Sequence, residues 1–256
     1  MSVYIACPAY TGLSIETSKI LLLSGKSKYN VIIQQQDFSV LCYNFNTMWF
    51  DMLNRRRQGE QISHFVMVHS DIKLVESCRN WLDAFVDEIA LESVCADVLS
   101  VVVPLKDKRG LTSTGVFNVE KEIVVKRLTM RELVKLPVTF ELQDVQGLFP
   151  ELNTEVHKLV VNTGLMVVKI PEGKDDCWCE HVFFHMKDYV LKVTDKETGL
   201  VQFSPQFISE DWMFSADVQR LGRVVKGTRV LQIEHVGKFG YPNYEVWGTL
   251  YKDDLS

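Results

Sequence analysis

Four apolar residues in succession, Phe65-Val66-Met67-Val68, are followed at once by His69-Ser70-Asp71. An unbroken apolar run of that length reads as a strand buried on both faces. The polar trio therefore stands where a core strand ends, and open α/β sheets bind ligands at the carboxyl ends of their strands. A carboxylate in that position needs a partner, because a buried unpaired charge is costly. A divalent metal bridging to a phosphate is one such partner. Capping of the following helix is the structural alternative for Asp71.

The rest of the composition suits such a sheet. The chain has 256 residues, 46% of them hydrophobic and 24% charged, which is ordinary for a globular protein with a substantial core. Its formal net charge of −5 argues against a general polyanion binder, while leaving room for a local basic patch. Residues 1–8 lack a basic leader region and turn polar by Thr11, so they read as a first strand rather than a signal peptide. No apolar run reaches the roughly 20 residues of a membrane span. The six cysteines lie mostly in apolar surroundings, as expected of reduced thiols in a cytoplasmic protein.

Along the chain, a strand over residues 3–6 runs into a turn at Cys7-Pro8-Ala9-Tyr10, placed to hold a nucleotide against backbone groups. Neither a dinucleotide fingerprint nor a P-loop is present. Residues 14–23 have helical spacing, with Ser14 as the cap, and residues 29–34 read as the second strand. Phe45, Met48, Trp49, Met52 and Leu53 fall on one helical face, with Asn44 and Asn46 at the helix start. Helical periodicity returns over 75–90 and a buried strand over 97–104, followed by a polar loop, 106–115. Residues 159–170 read as a strand interrupted by Asn162-Thr163-Gly164. Ser209 opens a helix with Glu210-Asp211-Trp212, and a last strand over 229–234 ends in His235-Val236-Gly237. With no repeat and no Pro/Gly/Ser linker, one α/β domain over 1–256 is the economical reading.

Taken together, His69-Ser70-Asp71, Ser209-Glu210-Asp211-Trp212 and His235-Val236-Gly237 resemble, in order and separation, the GT-A fold glycosyltransferases. Asn46, on a helix before the acidic strand end, and Asn162-Thr163-Gly164-Leu165-Met166 extend the likeness. It implies a single Rossmann-like domain with a mostly parallel mixed sheet flanked by helices. Residues 1–110 would bind the nucleotide sugar, and 111–256 the acceptor and catalytic groups.

The resemblance further implies that Asp71, like the last Asp of D-x-D, and His235 hold Mn2+ or Mg2+ against the donor diphosphate. Hard carboxylate oxygen with one imidazole suits manganese. Pro8, Ala9, Tyr10, Asn46, His69, Ser70 and Lys238 would contact the nucleotide-sugar donor, expected to be a UDP-sugar. Asp211 resembles the general base of inverting members, a role that needs a carboxylate beside the acceptor hydroxyl. Thr112, Ser113, Asn162, Thr163, Gly164, Glu210 and Trp212 would line the acceptor side. The pattern departs at His69, which replaces the first acid of D-x-D and leaves one protein carboxylate for the metal.

The compact chain looks like viral enzymes that glycosylate hydroxylated bases in DNA, which would work in a host cytoplasm. The basic loop Lys106-Lys108-Arg109 beside Thr112-Ser113-Thr114 fits a DNA acceptor; soluble saccharides and protein hydroxyls are the alternatives. No membrane partner is expected. A nucleotidyltransferase and a non-catalytic nucleotide-sugar-binding module remain rival readings. A rival metal signal is Cys177, Cys179, His181 and His185, two Cys and two His within nine residues, which zinc could use. A strand, or a helix with the histidines on one face, accounts for that pattern equally well.

Overall fold

The computed structural model describes residues 1–9, 14–173, 177–195, 198–237 and 240–249. Tyr10 and Lys238, both expected at the donor, lie outside the described residues.

Strand β1 (Ser2–Ala9) runs three residues beyond its expected end at residue 6. Pro8 and Ala9, expected in a turn, pair in register with Gln36 and Asp37 of β2 (Asn30–Asp37). Pairing of β1 on its other side stops at Ala6, so the N–H that Pro8 lacks falls past the last ladder rung there. Between these strands, α1 (Ile15–Ser24) starts at Ser14, whose hydroxyl accepts the Thr17 amide at 3.1 Å. Helix α2 (Leu41–Arg57) begins earlier than its polar residues suggested. Leu41 stands four residues before Phe45 and packs against the same core, so the apolar face extends one more turn. Asn44 and Asn46 consequently lie inside the helix rather than at its start.

The opening apolar run becomes β3 (Ile62–Val68), followed by the short β4 (Ile72–Leu74). Helix α3 (Trp81–Ala90) is shorter than its expected span and buries Trp81, Leu82, Phe85, Val86 and Ile89. After β5 (Val98–Val101), the hydroxyl-rich segment expected as a loop is part of β6 (Leu111–Asn118). Thr112 and Thr114 are 0% and 1% exposed there, and a bridge between Thr112 and Pro104 binds that strand's start to the exit of β5. There follow β7 (Ile123–Thr129), α4 (Met130–Leu133), β8 (Thr139–Phe140), α5 (Leu142–Leu148), β9 (His157–Val160) and β10 (Leu165–Lys169). The break at Asn162-Thr163-Gly164 falls between β9 and β10 as expected. A hairpin, β11 (Lys187–Thr194) and β12 (Val201–Ile208), leads into α6 (Glu210–Arg220). The strand expected over 229–234 is displaced: residues 229–232 form the link between β13 (Val225–Thr228) and β14 (Ile233–Val236), and β15 (Gly240–Pro242) follows.

The main sheet has seven strands in the order β2-β1-β3-β10-β5-β13-β8. β2, β1, β3, β5 and β13 run one way, and β10 and β8 the other. Three of the six neighbour pairings are therefore antiparallel, so the sheet is mixed rather than mostly parallel in its pairing. Period-two alternation sends Tyr4, Ala6, Phe65 and Met67 to one core and Val3, Ile5, Val66 and Val68 to the other. Burial on both faces is what the opening apolar run required.

The reversed strand β10 sets the position of the site. Its Leu165 pairs with Val68 of β3, so the start of β10 reaches the same sheet edge as the ends of β3 and β5. A separate small sheet, β15-β14-β4, sits beyond that edge, with His235 of β14 directly opposite Ile72 of β4. Among the described residues, no helix is long and apolar enough to cross a membrane.

Candidate active site

Asp71 sits in the turn between β3 and β4 and is tied down from three directions. The Thr17 hydroxyl of α1 donates to the carbonyl of Ser70 at 2.7 Å, the Val236 amide donates to the carbonyl of Asp71 at 2.8 Å, and the Ile72 amide donates to that of His69 at 3.3 Å. The Asp71 side chain is half-buried. Its Oδ2 lies 2.5 Å from Lys106 Nζ and 3.3 Å from His235 Nε2, while its Oδ1 is buried and has no hydrogen-bond partner among the described residues. Burial raises the affinity of this carboxyl for a proton. The contacts with His235 and Lys106 outweigh it and hold the group well below the usual carboxylate range.

His235 is oriented by its other nitrogen. Nδ1 lies 2.7 Å from the Pro104 carbonyl oxygen, which can only accept, so Nδ1 carries the proton. Nε2 then faces Asp71 Oδ2 either with a second proton or with a lone pair directed at a shared cation. A backbone carbonyl holding the distal N–H is the usual support of a metal-ligating histidine. The 3.3 Å between Nε2 and Oδ2 is close to the ~3 Å separating adjacent donors on an octahedral ion with bonds of about 2.1 Å. The donor set thus fits a manganese-type ion. Among the described residues no group of three or more His, Cys, Asp or Glu side chains forms a metal cage, so such an ion would need further oxygens from a ligand.

The remaining sheet-edge residues divide between packing and access. The His69 ring is tilted against Phe45 at 5.1 Å, and its Nε2 bonds the Thr163 hydroxyl at 3.1 Å. Burial pushes its imidazole down to about 4, so it is neutral near pH 7. Asn162 is 3% exposed and donates to the Val101 carbonyl at 2.9 Å while accepting the Gly164 amide at 2.8 Å. Both ends of its amide therefore serve the β5–β10 junction. Gly164 leaves room in turn: a Cβ there would meet Val103 Cγ2 at 3.0 Å and Asn162 Oδ1 at 3.1 Å.

The second carboxylate centre opens α6. Asp211 Oδ1 accepts from the Ser209 hydroxyl and from the Trp212 amide at 2.8 Å. Burial raises the Asp211 carboxyl above its ordinary range, opposed by the Ser209 and Trp212 bonds and by the Arg127 charge. Glu210 beside it is 7% exposed, and burial followed by the neighbouring Asp211 charge pushes it up to about 7. Trp212 donates from Nε1 to the Ser113 carbonyl at 2.7 Å and carries the Arg127 guanidinium over its ring at 4.4 Å. The Ser113 amide in turn donates to the Val103 carbonyl at 2.9 Å. Val103 and Pro104, adjacent in the chain, thus anchor the Asp211 centre and the His235 centre respectively.

Elsewhere, other expected donor, acceptor and metal residues are placed as follows. Asn46 pins the backbone of Phe184 through bonds of 2.7 and 2.8 Å, and Thr112 donates to the Leu128 carbonyl at 2.8 Å. The basic loop is largely neutralised within the chain, Lys106 by Asp71 and Arg109 by Asp107 at 2.7 Å. Cys177 Sγ lies 3.3 Å from Arg56 Nη1, and His185 Nε2 lies 2.8 Å from Asp217. The four Cys and His residues of the rival zinc signal thus do not converge as a metal cluster among the described residues. Lys106 was expected in a DNA-contacting loop and not beside Asp71, and Arg127 was not expected at the site at all. Their partners lie 35 residues or more away in sequence, and no local pattern announces them.

No family model and no curated protein matches the chain. Among solved structures, A197 from STIV aligns at a TM-score of 0.49 and 12% identity, covering 98% of each chain. A glycosyltransferase involved in the glycosylation of the major capsid of PBCV-1 aligns at 0.29 and 10% identity, over 40% of this chain and 52% of that one. Neither likeness is close enough to assign a chemistry.

Proposed function

We propose that this chain is a metal-dependent, Rossmann-like GT-A type glycosyltransferase that moves a sugar from a nucleotide sugar to a hydroxyl. The observation that carries the reading is the Asp71–His235 pair, with Nδ1 committed to Pro104 O, Nε2 facing Oδ2 at 3.3 Å and Oδ1 buried without a partner among the described residues. A Mn2+ ion, when bound there, would supply the charge that a departing nucleoside diphosphate requires. Asp71 and His235 would hold it, and the neutral His69 would contact the donor beside them. Asp211, with one oxygen fixed and its proton affinity raised by burial, accepts the acceptor hydroxyl's proton as attack proceeds. Direct attack by that hydroxyl inverts the anomeric centre.

A hydroxylated base in DNA is the acceptor proposed. Because Lys106 and Arg109 are already paired, phosphate contact falls to Lys108. That side chain borders a cavity of about 530 Å³ with Tyr241 and Trp247, and Tyr241 is paired directly opposite His235. Aromatic rings beside a cation suit stacked bases and their phosphates.

The test is a panel of nucleotide sugars scored for Mn2+-dependent thermal stabilisation, followed by product analysis. Sugar transfer supports the proposal. Nucleotide transfer would indicate a nucleotidyltransferase, and donor binding without turnover a binding module. The absence of any metal-dependent donor binding would overturn it.

A further inference from the structure

Lys106 is the residue in this site whose position the glycosyltransferase reading leaves unexplained. It leaves the loop after β5, lays its stem on Gly237, and places Nζ 2.5 Å from Asp71 Oδ2. A Cβ at position 237 would lie only 3.1 Å from Lys106 Cδ, so the glycine after His235-Val236 leaves the bed in which this stem rests. The oxygen that Lys106 holds is the one that His235 Nε2 faces. An ammonium and a divalent ion therefore compete for a single carboxylate oxygen, and two cations cannot share it without mutual repulsion. The side chain has the means to leave. Both partners are 35% exposed, and a lysine ammonium is a compact charge on a flexible four-carbon stem.

We propose that Lys106 is an exchangeable cation: it neutralises Asp71 before loading, and yields that oxygen to the metal to bind the donor's diphosphate. This rests on the glycosyltransferase reading and adds a diphosphate-binding residue to it. No bond is made or broken in the exchange. One ion pair is replaced by a metal–carboxylate contact and an ammonium–phosphate contact, and the dianionic group then has two cations against it instead of one.

The proposal requires two effects of opposite sign from one substitution. Removing the Lys106 charge removes a competitor for Asp71, so Mn2+ alone binds more tightly. The same change removes a phosphate contact, so a nucleoside diphosphate binds more weakly in the presence of Mn2+. For a pair this exposed, the gain in Mn2+ affinity is about two- to fivefold, and the loss for the diphosphate about tenfold.

The experiment titrates Mn2+ alone, and then uridine diphosphate at saturating Mn2+, into wild type, Lys106→Met and Lys106→Gln by calorimetry. Matching circular dichroism spectra and melting temperatures confirm that each variant folds. Tighter Mn2+ with weaker diphosphate in both variants supports the exchange. Unchanged or weaker Mn2+ binding in folded variants, with wild type binding normally, overturns it and leaves the glycosyltransferase reading in place. Diphosphate binding that is independent of Mn2+ but lost in both variants would overturn the exchange and the metal reading together. If wild type and Asp71→Asn bind Mn2+ and the diphosphate equally, the site itself is refuted.

Discussion

The carbonyl oxygen of Asp71 accepts the Val236 amide at 2.8 Å. This backbone rung fixes where the side chains of Asp71 and His235 meet. It joins a turn after one core strand to a strand that arrives 164 residues later, and it places Nε2 against Oδ2.

If that pair holds the metal, Asp71→Asn should abolish Mn2+-dependent thermal stabilisation by nucleotide sugars while leaving the circular dichroism spectrum intact. His235→Ala should do the same, since each residue supplies one donor. A merely structural Asp71 would instead lose on the order of 1 kcal/mol of stability with metal affinity unchanged.

Asp211→Asn keeps the shape of the side chain and an oxygen for the Trp212 amide and Ser209 hydroxyl. Turnover should fall by roughly 10²–10⁴, with donor affinity within about twofold of wild type. Equal loss of donor binding, measured by calorimetry, would reassign the residue to a structural role.

Thr17 is fully buried and donates to the Ser70 carbonyl. Thr17→Val retains the volume but leaves that carbonyl unpaired, which should cost about 1–2 kcal/mol in urea unfolding. The same variant should bind Mn2+ more weakly than wild type, because the bond holds the residue before Asp71.

Glu210 gives a pH dependence with a definite sign. Its carboxyl is raised from 4.5 to about 7 in the folded chain, so the folded state binds more protons than the unfolded state between those values. Its contribution is fully present below pH 4.5 and is lost as pH rises through 7, by on the order of 3 kcal/mol. Glu210→Gln should therefore be more stable than wild type at pH 8 and no more stable at pH 4, as read from denaturant midpoints.

A DNA acceptor would show itself in salt. Transfer to duplex DNA carrying hydroxymethylated pyrimidines should exceed transfer to free sugars at low salt and fall steeply as salt rises. Lys108→Ala should flatten that dependence by about one phosphate contact. Transfer that ignores DNA would leave a saccharide or protein hydroxyl as the acceptor.

Local chemistry determined a good deal of this molecule. The apolar run 65–68 specified a strand buried on both faces, because period-two side chains must then meet apolar neighbours on either side. Ser14 specified the start of α1 through its own hydroxyl, and the end of that run marked the position of Asp71. Other features were decided only by tertiary pairing. Thr112 and Thr114 look like loop residues in isolation, yet they are buried, with Thr112 bridged to Pro104 after β5 and bonded to the Leu128 carbonyl of β7. The strand order, with β10 reversed between β3 and β5, arises from contacts between residues some hundred positions apart. The union of Asp71, Lys106 and His235 has the same origin. Hydrogen bonds and charge pairs act over a few ångströms in space regardless of separation along the chain, so the residue types were legible in the sequence but their company was not.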